Sequence, residues 1–495
     1  MTNITAGEAA IARLDTAVDA FEHILTGAEG EVIGVPNHPP QPSLATRVKT
    51  SLDALTQSPA QSAAEAAGYA EEAAESLAAA QKLTSVPFED APFPDVWAPL
   101  NDNLRLLAGF APADTITVAG TSYSLPTKSM TFTRSTTATY IDKSGVLKTA
   151  AVNEPRFERE GLLIEGQSTN YVLNSNEPSL WQSNSTLTKS SIVDGTTQAT
   201  TYTGTVNAAT SANHQATVSS NISVNAGDTV TISGRAKASS DIVRFRFTLD
   251  GTDIANIFFN ALTGAFISST AGLTYTTSLG SDGYAYLTAT YTAPSAGVVT
   301  AGVWLRGNAN LAIGTVLYIQ MLQVEKNPVA TSYIPTGASS VTRAGERVAL
   351  QPSGNVGYRT IGDAFNRALA FEVSVNKYVT PSVGYIDFVR VAGSNNDIIF
   401  RAVSSTLNSY IGGSGPSIAV TYPFASKVYV QTIDSTNTTS IYFDGKSNSR
   451  TLAPTTPSSI PTSIDIQGNS NAVFHIRNFR IWHRKLTSNQ INGLR

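Results

Sequence analysis

The chain has 495 residues, a formal net charge of −4, 41% hydrophobic residues and only 14% charged ones. The apolar content is globular, the length suits about three domains at ~150 residues each, and a charge content well under the usual ~25% leaves Ser, Thr, Asn and Gly to cover the surface. A negative balance without a basic cluster argues against nucleic-acid binding by phosphate neutralisation, and the absence of cysteine excludes disulfides and thiolate metal sites.

In chain order, Thr5–Glu8 has capping-box spacing, and Ile11, Leu14, Val18, Phe21 and Leu25 follow at alternating steps of three and four until Gly27. The spacing predicts an amphipathic helix whose single apolar stripe needs a partner. Gly34–Pro42 (GVPNHPPQP) is too proline-rich to be helical. Leu44, Val48, Leu52 and Leu55 predict a short helix over Ser43–Leu55. In the alanine-rich stretch Ser62–Leu83, a seam runs through Ala63, Ala66, Ala70, Ala73, Leu77 and Ala80, with glutamates outside it. Both a trimeric coiled coil and a solitary solvated helix fit that pattern. Pro87–Pro99 ends it, and Asn101–Gly109 is expected as one more short helix.

From Thr115 onward, short β-branched and aromatic runs alternate with turn residues. Thr115–Val118, Met130–Thr133, Gly161–Glu165, Gly227–Ser233, Val243–Leu249, Ile257–Asn260, Tyr284–Tyr291, Val298–Leu305 and Thr315–Val324 read as strands. Asp250-Gly251, Thr263-Gly264 and Asp282-Gly283 read as the turns between them. Beyond Glu346 the strand candidates are Ala368–Val375, Val383–Val391, Ile398–Ala402, Ala419–Tyr422, Lys427–Thr432, Thr439–Phe443, Ser463–Ile466 and Ala472–Trp482. Thr487 and Gln490 have the spacing of a second capping box. The expected architecture is mainly β with a helical N-terminal part: helices, including a trimeric coiled coil, over 1–114, then antiparallel β-sandwiches of jelly-roll type over 115–345 and 346–495. The last of these is expected to fold alone.

The segment TRSTTATYIDKSGVLKTAAVNEPRFEREGLLIEGQSTNYVLNS, Thr133–Ser175, resembles a stretch found in tail fibres and receptor-binding proteins of tailed bacteriophages. Gln323–Glu346 (QVEKNPVATSYIPTGASSVTRAGE) resembles a recurrent ending in the same proteins. Ser219–Lys237 with Asp282–Leu287 and Met321–Thr336 is similar to their carbohydrate-binding-module-like jelly rolls. The end, FHIRNFRIWHRKLTSNQINGLR, is similar to the last strand and helix of concanavalin-A-like (laminin-G-type) lectin domains. The resemblance implies a homotrimer that attaches by its N-terminus to a phage tail, baseplate or collar protein. It also implies binding of host surface polysaccharide, and a place in the virion.

Localisation by a signal peptide is not expected, because MTNITAGEAAIARLD lacks a basic region followed by an apolar core. No run approaches the ~18 apolar residues of a membrane span. The five histidines are scattered, with no HExxH spacing. No metal, cofactor or catalytic residue is expected. The carboxylate pairs Asp250/Asp253 and Asp434/Asp444 fall in turn-like stretches where Asp bonds its own backbone. Trp304 and Trp482 sit in alternating strand patterns and are expected in the core. Tyr410, in NSYIGGSG, and Asn395, Asn396 and Asp397, in GSNND, are the candidate ligand-binding residues, since a ring beside amides and a carboxylate suits a sugar; a mobile polar loop is the other reading. A polysaccharide-degrading tailspike and a purely structural collar or baseplate component are the alternatives to an adhesin.

Overall fold

The computed structural model describes residues 15–35, 39–51, 89–109, 111–118, 120–127, 129–209, 213–238, 242–306, 310–350, 367–380, 384–392, 398–410, 413–451 and 463–494. The chain divides into two compact units, Met1–Pro87 and Phe88–Arg495. In the first, residues 15–26 and 44–51 are helical, and Val32–Ile33 pairs with Gln41–Pro42. The apolar stripe is present on the first helix, where Val18, Phe21 and Leu25 are 48%, 60% and 48% exposed. Thr5–Glu8, Ile11, Leu14 and the Ala63–Ala80 seam lie outside the described residues. No described helix is long and apolar enough to cross a membrane.

The second unit is mainly β and antiparallel, built as two sandwiches. One sheet of the first sandwich runs Leu187–Val193, Thr200–Val206, Val316–Glu325, Thr229–Ala238, Ala285–Thr292 and Thr274–Leu279. The other runs Asn213–Val218, Gly297–Arg306, Ile242–Leu249, Thr252–Asn260 and Phe266–Ser269. Ile232, Leu287 and Ile319 of one sheet meet Phe245, Phe247 and Ile257 of the other in the core. Alternation explains the layering, because successive side chains of a strand point to opposite faces.

The terminal sandwich packs Phe371 and Phe474 of one sheet against Phe400 and Phe388 of the other, with centroids 5.7 and 4.8 Å apart. Its strands do not all come from 346–495. Thr131–Thr133 closes one edge beside Arg347–Leu350, while Gly161–Glu165 and Val96–Ala98 both pair with Ala472–Trp482. The expected boundary at 346 therefore cuts through sheets, because these earlier strands cover edges that would otherwise present bare backbone. The expected helix at Asn101–Gly109 is replaced by irregular chain. There the backbone bonds go sideways, Leu107 N–H to Trp97 O at 2.7 Å and Met130 N–H to Leu104 O at 2.9 Å.

The run Gly161–Glu165 is buried throughout, and only two residues later Ser168–Asn170 pairs with Val316–Glu325 and Val341–Arg343 of the first sandwich. This stretch stitches the two sandwiches together, and it passes tightly. A Cβ on Gly166 would lie 2.4 Å from the backbone of Asn469.

An ion network packs against the stitch. Arg156 donates from Nη2 to Glu165 at 2.8 Å and to Glu346 at 2.7 Å, and from Nε to Glu346 at 2.8 Å. Arg134 donates to Glu346 at 2.8 Å, and Arg343 lies 3.3 Å from Glu165. All five side chains are at most 1% exposed. Burial opposes ionisation of Glu165, yet Arg343, Arg156 and the Ser332 hydroxyl hold its carboxyl well below the usual range.

Removing one partner strands the other charges, so Arg156→Ala should cost about 3–5 kcal/mol in chemical denaturation, against under 1 for a surface pair. The folded pKa of Glu165 lies below its unfolded value, so its stabilisation is full above about pH 4.5 and drains as pH falls towards the folded value. The melting temperature should fall through this acid range, and Glu165→Gln, starting lower, should fall less. A fragment of residues 346–495, lacking Val96–Ala98, Thr131–Thr133, Phe157–Glu158 and Gly161–Glu165, four strands of its sandwich, should show no cooperative melt, whereas residues 88–495 should.

Candidate functional site

Tyr410 ends the strand Thr406–Tyr410 and is half-buried. Asn395, Asn396 and Asp397 lie outside the described residues. The Tyr410 ring stands 5.1 Å from the guanidinium of Arg401, which also lies 3.2 Å from the Tyr385 ring centroid. Asp387 and Arg401 face each other across neighbouring strands, which brings their side chains out on the same side. Asp387 accepts twice from Arg401, at 2.5 and 2.9 Å. The result is a guanidinium clamped by a carboxylate and held beside two tyrosines.

Burial works against the charge on Arg401, but the clamp more than offsets it, and its pKa is raised. A fixed cation beside the Tyr385 ring is an attractive contact, and it orders a ring that is 51% exposed. This is an aromatic platform. It offers stacking to the C–H face of a sugar ring, with the half-buried Tyr410 beside it. Tyr385 was not legible as a site residue, since VGYIDF reads only as the start of a strand.

The first sandwich carries a second platform. Tyr286, 47% exposed, lies opposite Arg235, whose guanidinium is 4.6 Å from that ring and 5.1 Å from Tyr284. Asp282 binds Arg235 from one side and Gln320 accepts from it at 2.8 Å on the other. The design repeats that of Arg401: a pinned guanidinium supporting an exposed ring.

The carboxylates weighed for hydrolysis are occupied. Asp250 accepts from Val298 N–H at 2.9 Å, and Asp253 from Arg244 at 2.9 Å. Burial would raise the Asp434 pKa, but hydrogen bonds from Thr436, Thr438 and Lys485 hold it low, and Asp444 pairs with Lys427 at 2.8 Å. Among the described residues, Glu158, Glu160 and His475 have metal-ligating atoms within 4.8 Å of one another. There His475 already meets Glu158 at 2.9 Å and Asn376 at 2.7 Å. Beside the stitch lies a cavity of about 220 Å³, lined by Thr136, Thr139, Thr149, Tyr333 and Arg343. That is below the ~300–1,000 Å³ usual for ligand pockets.

No protein-family model and no curated protein sequence matches the chain. Among solved structures, a receptor-binding domain is 19% identical over 30% of this chain and 39% of its own, at a TM-score of 0.25. The binding domain of botulinum neurotoxin DC in complex with SialylT is 18% identical over 30% of this chain and 39% of its own, at 0.24. A Trypanosoma rangeli sialidase in complex with 2,3-difluorosialic acid is 10% identical over 77% and 76%, also at 0.24. The matched stretch thus spans well under half of the first two chains, and TM-scores of this size mark no shared fold.

A platform exposed to solvent should be dispensable for folding. Tyr385→Ala should shift stability by no more than about 0.5 kcal/mol in urea denaturation, whereas Phe388→Ala, buried three residues on, should cost about 3–5.

Proposed function

We propose that the chain is a non-catalytic bacteriophage tail-fibre adhesin that binds host surface polysaccharide through aromatic platforms on its sandwiches. The observation that carries the reading is Tyr385, an exposed ring braced on a guanidinium that Asp387 holds in place. A preorganised ring gives up little entropy on binding, which favours stacking on a sugar. The same arrangement at Tyr286 supports reading both sandwiches as glycan-binding modules, one jelly-roll-like and one lectin-like. The tail-fibre assignment rests on the resemblance of Thr133–Ser175 and Gln323–Glu346.

In this reading the fibre is a homotrimer docked to the virion by its N-terminal unit. The exposed stripe of Val18, Phe21 and Leu25 supports assembly, since a three-helix seam would cover it. Trimerisation makes shallow sites sufficient, because linked sites add about 10²–10⁴ in apparent affinity.

Full-length protein should block phage adsorption to host cells and release no reducing ends from host polysaccharide. Tyr385→Ala should weaken cell binding at unchanged melting temperature. New reducing ends would instead make the protein a hydrolytic tailspike, and absence of competition would make it a structural tail component.

A further inference from the structure

We propose that the outer face of the sheet containing Gly297–Arg306 and Ile242–Leu249 is a separate subsite for a saccharide bearing an oxyanion. That the ligand is a saccharide rests on the adhesin reading; the anion preference rests on this face alone. Strand register places Gln215, Trp304, Arg244 and Phe258 side by side across four strands. Trp304 was expected in the core. Its ring is buried, but it lies outside the cluster that forms the sandwich interior and is covered from outside by arginines.

The guanidiniums of Arg244 and Arg246 each lie 5.5 Å from the Trp304 ring. Those of Arg244 and Arg306 lie 5.9 and 5.1 Å from Phe258. Gly302 lets the indole lie across the sheet, since a Cβ there would come within 2.9 Å of the ring and 2.5 Å of Thr217 O. Among the described residues one carboxylate serves this group. Asp253 is 2.9 Å from Arg244 and 3.1 Å from Arg246, and no carboxylate pairs with Arg306.

Three guanidiniums against one carboxylate leave a concentrated positive charge on a chain whose net charge is −4. Burial and the neighbouring Arg246 and Arg306 lower the pKa of Arg244 despite Asp253, so the cations repel one another where they stand. The η nitrogens of Arg246, a side chain 29% exposed, have no hydrogen-bond partner among the described residues. Two planar forks held apart on aromatic rings, with outward donors, suit a carboxylate or a phosphate ester, which accept in pairs. Asn256 and Asn213 on the same face hold the guanidiniums in place, accepting from Arg244 at 2.7 Å and from Arg306 at 3.1 Å.

Calorimetric titration of the full-length trimer with oligogalacturonate, glycerol-phosphate polymer, dextran oligosaccharide and a single-stranded oligonucleotide tests this. At least one acidic polymer should bind, more weakly as salt rises, and which one binds identifies the oxyanion. The double variant Arg246→Gln/Arg306→Gln should lose about ten- to a hundredfold in that affinity. Arg246→Lys, which keeps charge but loses the fork, should also bind more weakly at an unchanged melting temperature. Equal binding of dextran, tighter binding of the oligonucleotide, no acidic binding, or full affinity in both arginine variants would each overturn the proposal. If acidic binding persists while Tyr385→Ala leaves cell adsorption intact, the Tyr385 platform reading fails and this subsite stands.

Discussion

Arg156 ties distant segments of the β unit together through two buried ion pairs. It sits between Glu165, at the end of the strand Gly161–Glu165, and Glu346, just before the terminal sandwich resumes. Its Nη1 also donates to Thr139 O at 2.8 Å, tying in the hairpin Ala138–Ala150. Such a buried network adds little net stability over apolar packing, because desolvation offsets the attraction. What it determines is where distant segments meet, since any slip leaves a charge unpaired in the interior. The cost shows at Arg343, whose Nε and Nη1 are buried without a hydrogen-bond partner among the described residues.

The fold was legible wherever apolar residues alternate. Ala472–Trp482 has the predicted bounds, and the Asp250-Gly251 turn has the positive φ angles expected of a tight hairpin. The capping box of Thr487 and Gln490 is formed. Strands such as Leu187–Val193 and Thr274–Leu279 were not read, because they lie mostly exposed at sheet edges and are written in Thr and Ser. The interleaving of sheets was not legible either. Glu346 gives no hint that its partners are Arg134 and Arg156, since a buried ion pair has no local period.

The same limit applies to the site. Tyr410 was singled out for its glycine-rich surroundings, and it does stand in an aromatic cluster. The ring that faces solvent is Tyr385, and what orders it is a cross-strand Asp387–Arg401 pair that only register reveals. Trp304 illustrates the reverse. An alternating strand made it look interior, yet alternation cannot say which face is the core when arginines cover the other. In both sandwiches the rigid sheet supplies position and guanidiniums order the rings.

Hydrogen exchange of the full-length protein with and without host polysaccharide tests the central claim most directly, because it reports where ligand touches. The account requires added protection at Ile386–Ala392 and Thr406–Tyr410, the strands that carry the Tyr385 cluster, with the stitch at Gly161–Glu165 unchanged. Protection confined to the N-terminal unit, or none at saturating polysaccharide, would contradict it.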